Sequence, residues 1–461
     1  MAISSAATIA ARLDRLPSAG AVRRLVTLIS LGACFEYYDL FFTAYIGPGL
    51  VKSGVFAGSG TALFGFHGLA SFVAAMFGGM FVGTLLFTPL SDRFGRRSIF
   101  TFALLWYSAA TIIMAFQGTA FGVDLWRFIA SVGIGVELVN VDAYISELVP
   151  SARRGAAFGY NQFITFLIVP VVAFLSWVLV PREIFGLDGW RVVVLIGSTG
   201  ALAIWWIRLG LPESPRWLVQ HGYAFDADRV TSELEAAIER ATGHKLPPPE
   251  TTEGESDKIA GSWLEIWRRP YFGRTVILVI FNLFQTVGYY GFASWVPIFL
   301  ISEGVTITHS LEYTFIIAVA NPLGPLLGMT VADRMERKWQ IASAAVLIAV
   351  FGLLFSQQRG EAGIIIFGIL VTLANNWMSF TFHAFQAELY PTRIRAQAVG
   401  FVYSWSRFSA IFSSFIIAFF LAGWGTTGVF AVIAACMAVV AITIGGFGPR
   451  TTRRRLEIVA R

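Results

Sequence analysis

Twelve apolar stretches, each about as long as a membrane is thick, follow one another along this chain of 461 residues. A bilayer core of about 30 Å is crossed by roughly 20 residues of helix, and a helix satisfies its own backbone hydrogen bonds there. The sequence therefore predicts an all-α integral membrane protein with twelve transmembrane helices. These predicted spans, numbered 1 to 12, are residues 22–46, 65–88, 98–117, 122–146, 155–180, 190–210, 272–301, 311–332, 339–357, 362–387, 395–421 and 426–447.

The composition agrees with a membrane protein and argues against several other classes. Hydrophobic residues make up 56% of the chain and charged residues 13%, whereas soluble domains carry about 25% charged residues. A soluble enzyme, a disordered chain and a nucleic-acid-binding protein do not fit these values. Cys34 and Cys436 lie in apolar runs, and the sequence has neither a metal motif nor a phosphate-binding loop. We therefore expect no metal and no cofactor.

One long polar stretch, residues 211–271, divides the spans into two sets of six. It contains a helical pattern from Asp226 to Arg240 and a proline-rich turn. The predicted organisation is a cytoplasmic N-tail, an N-terminal six-helix half, a cytoplasmic linker, a C-terminal six-helix half and a cytoplasmic C-tail. Their respective ranges are 1–21, 22–210, 211–271, 272–447 and 448–461.

Lys and Arg residues are distributed very unequally between the two sides of this topology. The side with both termini and the linker carries 27 of them, and the other side carries only Lys52, Arg182 and Arg359. Basic residues accumulate on the cytoplasmic side of membrane proteins. Both termini are therefore predicted to be cytoplasmic, with the protein in the plasma (inner) membrane.

Two short motifs recur six spans apart. The charged run Ser91–Arg97 follows span 2, and the similar run Ala332–Lys338 follows span 8. A Glu-Leu-x-Pro motif ends span 4 at Glu147–Pro150 and span 10 at Glu388–Pro391. Two six-helix halves of this kind, with a substrate site near the midplane of the membrane, are an architecture of transporters.

Several motifs resemble those of the major facilitator superfamily over nearly the whole chain. The run Asp92–Arg97 is similar to its loop signature, and Arg127 with Gly133 and Gly135 is similar to its fourth-helix motif. The segment Leu211–Leu218 resembles the sequence after helix six in sugar porters and organic ion transporters. The resemblance implies the major facilitator fold and transport of a small molecule by alternating access. It does not imply an enzyme.

The subfamily resemblance concerns spans 1, 7 and 11. Phe35–Asp39 resembles the first helix of metabolite/proton and aromatic acid/proton symporters, and Tyr289–Pro297 resembles the latter group. Tyr390–Arg395, followed by Arg407, also resembles the animal organic anion transporters. In those anion carriers the arginine of the eleventh helix is associated with anionic substrates.

Ionisable residues inside spans 1 and 4 predict a proton site. Glu36 and Asp39 are three positions apart and share one helix face. Two carboxylates this close do not readily both ionise, so one of them is expected to exchange a proton near neutral pH. Arg127 is the expected partner, and the resemblance to sugar porters supports an Asp39–Arg127 pair. The alternative is a permanent ion pair that only fixes helix packing.

Arg407 lies well inside span 11, where an uncompensated charge is costly. Its planar fork suits a carboxylate, so a substrate anion is one interpretation and a pair with Glu36 or Asp142 is the other. Other polar or aromatic side chains fall at helical spacing and are candidates for substrate binding, although such residues also join membrane helices. They are Tyr38, Asn161, Gln162, Asn282, Gln285, Tyr289, Asn376, Trp377 and His383.

Charged residues at the cytoplasmic ends of the spans predict a gate. Acid–base clusters that hold helix ends together would stabilise a state closed to the cytoplasm, and breaking them would permit the other state. The alternative is a set of solvated charges that only determines topology. The candidates are Asp92, Arg93, Arg96, Glu147, Arg154, Asp333, Arg337, Glu388 and Arg395.

These observations together predict a proton-coupled symporter of a small organic anion. The expected anion is a carboxylate, such as an aromatic acid or a sugar acid. The partners of the symporter would be that anion, a proton and the lipid bilayer, and the chain would act as a monomer. A drug/proton antiporter and a carrier of a neutral, sugar-like metabolite remain alternatives within transport. Outside transport, the alternatives are a membrane enzyme and a transporter-like sensor. No role is predicted for Glu137.

Overall fold

The computed structural model is a bundle of helices, and every predicted span is mostly helical over the residues that are described, with short interruptions in spans 5, 7 and 8. This confirms the predicted all-α fold of twelve transmembrane helices. The structure describes residues 6–17, 20–56, 68–87, 93–150, 154–209, 211–249, 263–331, 335–390 and 392–451. Asp92 and Asp333 of the predicted gate lie outside these ranges, and the side chains of Asp142, Arg154 and Arg395 are likewise outside the described part.

The first six spans are followed or interrupted by short elements. A short helix, Gly47–Lys52, follows span 1, and a two-residue antiparallel hairpin, Glu183–Ile184 with Leu187–Asp188, precedes span 6. The helices of spans 1 to 6 are Gly20–Tyr45, Leu69–Val82 with the π-helical turn Gly83–Phe87, Arg96–Ala115, Ala120–Leu148, Arg154–Phe166 with Ile168–Leu179, and Gly189–Leu209.

The second half has the same number of spans. Spans 11 and 12 are two helices within Thr392–Ile442, separated by non-helical backbone at Gly425. The helices of spans 7 to 12 are Tyr271–Ala293 with Val296–Ser302, Ile307–Ala318 with Leu323–Val331, Arg337–Ser356, Glu361–Glu388, and Thr392–Ile442 with the π-helical turn Thr443–Phe447.

Proline and glycine explain where these spans are interrupted. Pro297 is the second residue of the second helix of span 7, and Pro322 lies between the two helices of span 8. Proline has no backbone N–H to continue the hydrogen-bond ladder. Gly425 adopts φ 64° and ψ −164°, a conformation that glycine tolerates and other residues avoid. The chain can therefore reverse direction between spans 11 and 12.

Eight of the described helices are long and apolar enough to cross a membrane, with spans 11 and 12 counted as one. Two shorter apolar helices, Leu69–Leu85 and Gly189–Thr199, belong to spans 2 and 6. Span 4 falls outside both sets and carries Asp124, Arg127 and Glu137. A span with this many charges needs partners inside the protein, and those partners are part of the candidate site.

Spans 2 and 4 pack with their backbones in contact. A methyl group added to Gly83 would lie 2.1 Å from the carbonyl oxygen of Val132, and one added to Gly135 would lie 2.3 Å from that of Met80. Small residues allow such close approach between membrane helices. The contact fixes span 4, and with it Arg127, against span 2.

The N-terminal segment forms a helix, Ala6–Asp14, that packs on the linker. Arg12 donates hydrogen bonds to Asp228 at 2.6 Å and to Glu235 at 2.7 Å. Burial acts to raise the pKa of Glu235, but the hydrogen bonds from Arg12 and Arg15 hold it below its usual value. We call this end of the bundle the linker face and the other end the opposite face. The linker contributes helices Pro215–Gln220 and Ala224–Thr242 and a 3-10 turn, Trp263–Trp267.

Candidate functional site

A buried ion pair joins spans 1 and 4. Nη1 of Arg127 donates to Oδ2 of Asp39 at 2.7 Å, and Nη2 donates to the Asp39 carbonyl at 2.8 Å and to the Thr43 hydroxyl at 2.7 Å. The Thr111 hydroxyl on span 3 donates to Oδ1 of Asp39 at 3.5 Å. The two charged side chains are 0% and 5% exposed. The structure thus brings together the pair that the sequence predicts.

Aromatic rings surround the cation of this pair. The guanidinium carbon of Arg127 lies 4.7 Å from the ring centre of Phe42 and 5.7 Å from that of Phe72. Ring faces attract a cation and exclude water from it. Loss of the Asp39 charge would therefore leave Arg127 buried without a counter-ion, and such a change favours rearrangement.

Further acidic side chains are buried in spans 1 and 4. Glu36 lies one helical turn before Asp39 and is fully buried, as is Glu137 on span 4. Asp124, one turn before Arg127, is equally buried and is absent from the sequence-based candidates. It lies near the predicted start of span 4, where a charge is expected to face the membrane surface. Asp124 and Arg127 are three residues apart and therefore share one helix face, and this spacing could have identified Asp124 from the sequence.

Arg407 is the second buried cation, and its contacts are with tyrosines. Nη1 donates to the Tyr290 hydroxyl at 2.8 Å, and Nη2 donates to the Tyr403 hydroxyl at 3.2 Å. The side chain is buried, and within the described part of the chain no carboxylate lies within ion-pair distance. The alternative of a pair between Arg407 and Glu36 is therefore not what the structure contains. Tyr290 was not predicted as a partner of Arg407, because the sequence places it in the Tyr289–Pro297 motif without indicating which side chain it contacts.

Arg407 faces a cavity between the two halves, which we call the arginine cavity. It contains about 590 Å³ of space not occupied by protein atoms, including space open to solvent. Of the predicted residues, Gln162, Gln285, Tyr289 and His383 line it together with Arg407. The remaining lining residues are Tyr37, Leu40, Phe166, Tyr290, Ser379, Phe382, Tyr403 and Ser406. One cation among aromatic rings and neutral donors is a suitable environment for a small aromatic anion.

Four predicted substrate-binding residues line neither this cavity nor the second cavity described below. The Tyr38 hydroxyl donates to the Val193 carbonyl at 2.8 Å, and the Asn161 amide oxygen accepts from Ser30 at 2.8 Å. The other two are Asn282, whose amide donates to the Leu278 carbonyl at 2.9 Å, and Trp377, whose indole donates to Gln340 at 3.2 Å. The bonds of Tyr38, Asn161 and Trp377 join one helix to another, whereas that of Asn282 lies within its own helix. Polar residues in membrane helices make both kinds of contact.

A second cavity, which we call the asparagine cavity, lies closer to the opposite face. It lies between spans 1, 7, 8 and 10 and contains about 400 Å³ of space not occupied by protein atoms, including space open to solvent. The predicted residue Asn376 lines it, and Tyr289 lies in the walls of both cavities. Its other lining residues are Phe41, Tyr45, Phe292, Ala293, Val296, Thr314, Ile317, Ala318, Asn321, Thr372 and Asn375.

Two equivalent ion pairs lie at the linker face. Arg96 bonds Glu147 at 3.0 Å, and Arg337 bonds Glu388 at 2.8 Å. Each pair joins the start of one span to the end of the next within the same half. The described pairs therefore do not bridge the two halves, as a gate of interlocking charges would. Arg93, the remaining described candidate, is exposed beside the Phe94 ring.

Glu213 of the linker caps the start of span 3. Its carboxylate accepts hydrogen bonds from the backbone N–H groups of Arg96 at 3.0 Å and Arg97 at 3.1 Å. Burial raises the pKa of Glu213, while these hydrogen bonds and that from Ser214 act in the opposite direction. Gly95 has φ 94°, and a methyl group there would lie 2.5 Å from Oε2 of Glu213. The loop signature thus requires glycine at this position.

The bundle of spans, the buried charges and the cavity between the halves define a membrane transporter of the major facilitator fold. The family model for the sugar (and other) transporters matches residues 25–461. The chain belongs to this family. The family consists of membrane transporters, which confirms that the chain is not an enzyme.

Relatives extend along nearly the full chain. YyaJ of Bacillus subtilis, a protein named for metabolite transport, is 31% identical over 96% of both chains. The niacin transporter NiaP of Acinetobacter baylyi is 26% identical over 97% of this chain and 98% of its own length. The 4-hydroxybenzoate transporter PcaK of the same organism is 25% identical over 82% of both chains.

The fold is also similar to that of a solved structure. The xylose transporter XylE of Escherichia coli, in an inward-open conformation, superposes with a TM-score of 0.70. The match covers 95% of this chain and 99% of that chain at 20% identity. At this identity the likeness shows the major facilitator fold and carries no information about substrate.

Proposed function

We propose that the chain is a proton-coupled symporter of a small organic anion and works by alternating access. The observation that carries the proposal is Arg407, a buried cation in the arginine cavity that is hydrogen-bonded to two tyrosines and to no carboxylate of the described residues. The guanidinium fork matches the two oxygens of a carboxylate. The protein would act as a monomer in the plasma (inner) membrane, with both termini cytoplasmic.

The proposed substrate class is a carboxylate on an aromatic ring. Tyr37, Phe166 and Phe382 offer ring faces around the cavity that contains Arg407, and offset rings attract one another. The names of NiaP and PcaK support this class, because niacin and 4-hydroxybenzoate are both aromatic carboxylates. A neutral sugar would leave the charge of Arg407 without a counter-ion.

The proposed coupling site is Asp39 with Arg127. Protonation of Asp39 would remove the anion that holds Arg127, and the buried pair would loosen. The two halves could then change their relative position around the bound substrate. Glu36, one turn away, would modulate the proton affinity of Asp39 through its own charge. The pairs Arg96–Glu147 and Arg337–Glu388 would keep the helix ends of each half together during this motion.

Transport in proteoliposomes tests the proposal. Labelled 4-hydroxybenzoate and nicotinate should accumulate inside when the outside is made acidic, and a protonophore should abolish the accumulation. An equal gradient of salt without a pH difference is the control. Accumulation that does not depend on the pH gradient would contradict proton symport. Efflux of a cationic dye in exchange for protons would instead identify a drug/proton antiporter.

A further inference from the structure

The asparagine cavity contains one amide without a hydrogen-bond partner. Asn375 is 3% exposed and lines the cavity, and its amide oxygen has no partner among the residues that the structure describes. The neighbouring amides are satisfied. Asn376 donates to the Asn321 amide oxygen at 3.1 Å and accepts from the Tyr289 hydroxyl at 3.3 Å. Buried amides are usually paired. Asn375 differs from Asn282 and Gln386, whose amide oxygens are also unpaired, because it lines a cavity that a ligand could occupy.

The chemistry of this cavity differs from that of the arginine cavity. Its polar lining consists of amides and hydroxyls, including Asn321, Thr314 and Thr372, and the lining residues that the structure describes include no Asp, Glu, Lys, Arg or His. A charged group would therefore find no counter-ion there. An amide both donates and accepts hydrogen bonds. The matching ligand group is an uncharged one that does the same, namely a hydroxyl or a carboxamide.

The two cavities meet at Tyr289, whose side chain lies in the walls of both. When the carboxylate of an aromatic substrate binds Arg407, one orientation of the ring directs the opposite end of the substrate into the asparagine cavity. We propose that Asn375 is a specificity-determining residue, which binds a hydroxyl or carboxamide on the end of the substrate remote from the carboxylate. This inference rests on the proposed function, because Arg407 must hold the carboxylate.

Binding of a matched pair of probes to the purified full-length protein tests the inference. The probes are 4-hydroxybenzoate and 4-methylbenzoate, which have the same carboxylate and ring and a remote group of similar size. Only the hydroxyl can bond an amide. One buried hydrogen bond corresponds to a preference of about fivefold. Isothermal titration should therefore give the wild-type protein about that preference for 4-hydroxybenzoate.

Two substitutions assign the preference to a residue. Asn375→Leu, similar in shape and without hydrogen-bonding groups, should bind both probes equally while keeping the wild-type affinity for 4-methylbenzoate. Asn375→Ser keeps one hydroxyl and should keep part of the preference. Asn282→Leu is the matched control, because Asn282 is also buried with an unpaired amide oxygen but lines neither cavity. This control should keep the full preference.

The outcomes separate this inference from the proposed function. Equal binding of both probes to the wild-type protein, with loss of both in Arg407→Gln, would overturn the role of Asn375 and leave the anion site intact. A preference that persists in both Asn375 variants would also overturn it. Failure of the wild-type protein to bind either probe would remove the anion site, and the inference with it.

Discussion

Arg407 offers more hydrogen-bond donors than the tyrosines around it use. A guanidinium group has five N–H donors in a fixed plane, and the hydroxyls of Tyr290 and Tyr403 each accept one. The remaining donors can meet both oxygens of a carboxylate. At this scale, the arrangement of the donors as well as the positive charge determines affinity.

Substitution of Arg407 by Lys should therefore weaken anion binding although the charge is retained. A lysine ammonium is a point charge without the planar fork. We expect the affinity for 4-hydroxybenzoate, measured by isothermal titration, to fall about tenfold or more. The control is Arg191→Lys, because Arg191 is bonded to the Ala115 and Gln117 carbonyls, away from both cavities. Unchanged affinity in Arg407→Lys would argue against bidentate binding.

Asp39→Asn should separate binding from accumulation. The amide imitates the protonated carboxyl permanently, so substrate should still bind and exchange across the membrane, while a pH gradient should no longer concentrate it. Uptake with an imposed gradient and counterflow without one measure the two activities in the same proteoliposomes. Glu36→Gln should reduce accumulation less, since Glu36 has only a modulating role in the proposal.

A variant that combines Glu36→Gln with Asp39→Asn tests whether either acid of span 1 couples transport to protons. Full gradient-driven accumulation in Asp39→Asn would show that Asp39 is not the coupling residue. The same result with Glu36→Gln and Asp39→Asn combined would exclude the pair. The buried acids of span 4, Asp124 and Glu137, would then be the remaining candidates for the coupling residue.

At the scale of elements, the start of span 3 depends on a contact made more than a hundred residues away in the chain. Glu213 caps the helix through the N–H groups of Arg96 and Arg97, and Gly95 leaves room for its carboxylate. A side chain at residue 95 would both collide with Glu213 and force an unfavourable φ. The linker is thereby attached to the first half.

Gly95→Ala should lower the thermal stability of the protein. The backbone of Gly95, at φ 94° and ψ 153°, lies in a region nearly confined to glycine and costs about 1–3 kcal/mol for a residue with a side chain, and displacement of Glu213 would add to this. A lower melting temperature in a detergent-based thermal assay is expected. Gly118→Ala is the control, because Gly118 has a negative φ and open space around it. Equal melting temperatures for both variants would contradict the capping role.

The elements themselves were largely predictable, and their contacts were not. Apolar length predicts each span, since a membrane helix must satisfy its backbone internally. The N-terminal helix Ala6–Asp14 is too short for that signal, and it is held by tertiary contacts with the linker. Likewise, the sequence predicts that Arg96 and Glu147 lie at one face. Their position within a single half became visible only in the structure.

At the scale of the whole molecule, the candidate site combines residues from both halves. The Asp39–Arg127 pair was predictable because few buried cations were available to a buried acid. Tyr290 and Tyr403 as partners of Arg407, and Asn375 in the second cavity, depend on side-chain directions that no helical period specifies. Polar residues such as Asn282 and Gln285, three apart on one helix, have different surroundings for the same reason.

Cysteine labelling tests the predicted orientation of the whole chain. Phe185, in the hairpin before span 6, is fully exposed, and His244 is exposed in the linker. In a variant without Cys34 and Cys436, Phe185→Cys should react with an impermeant maleimide from the periplasmic side of intact cells. His244→Cys should react only after the membrane is opened. Labelling of both residues in intact cells would contradict the topology.

The lack of an acidic partner for Arg407 among the described residues also has an electrical consequence. In the proposed cycle, a bound monoanion cancels the charge of Arg407, but protonation of Asp39 leaves Arg127 without its counter-ion, so the loaded carrier keeps one uncompensated cation. The empty carrier restores the Asp39–Arg127 pair and returns with the charge of Arg407 uncompensated. A transmembrane voltage acts on an unbalanced charge with about 2.3 kcal/mol per 100 mV for a full crossing, and it therefore acts on both forms alike. Symport of one proton with one monoanion moves no net charge, so we expect voltage to leave the extent of accumulation at a fixed pH gradient unchanged.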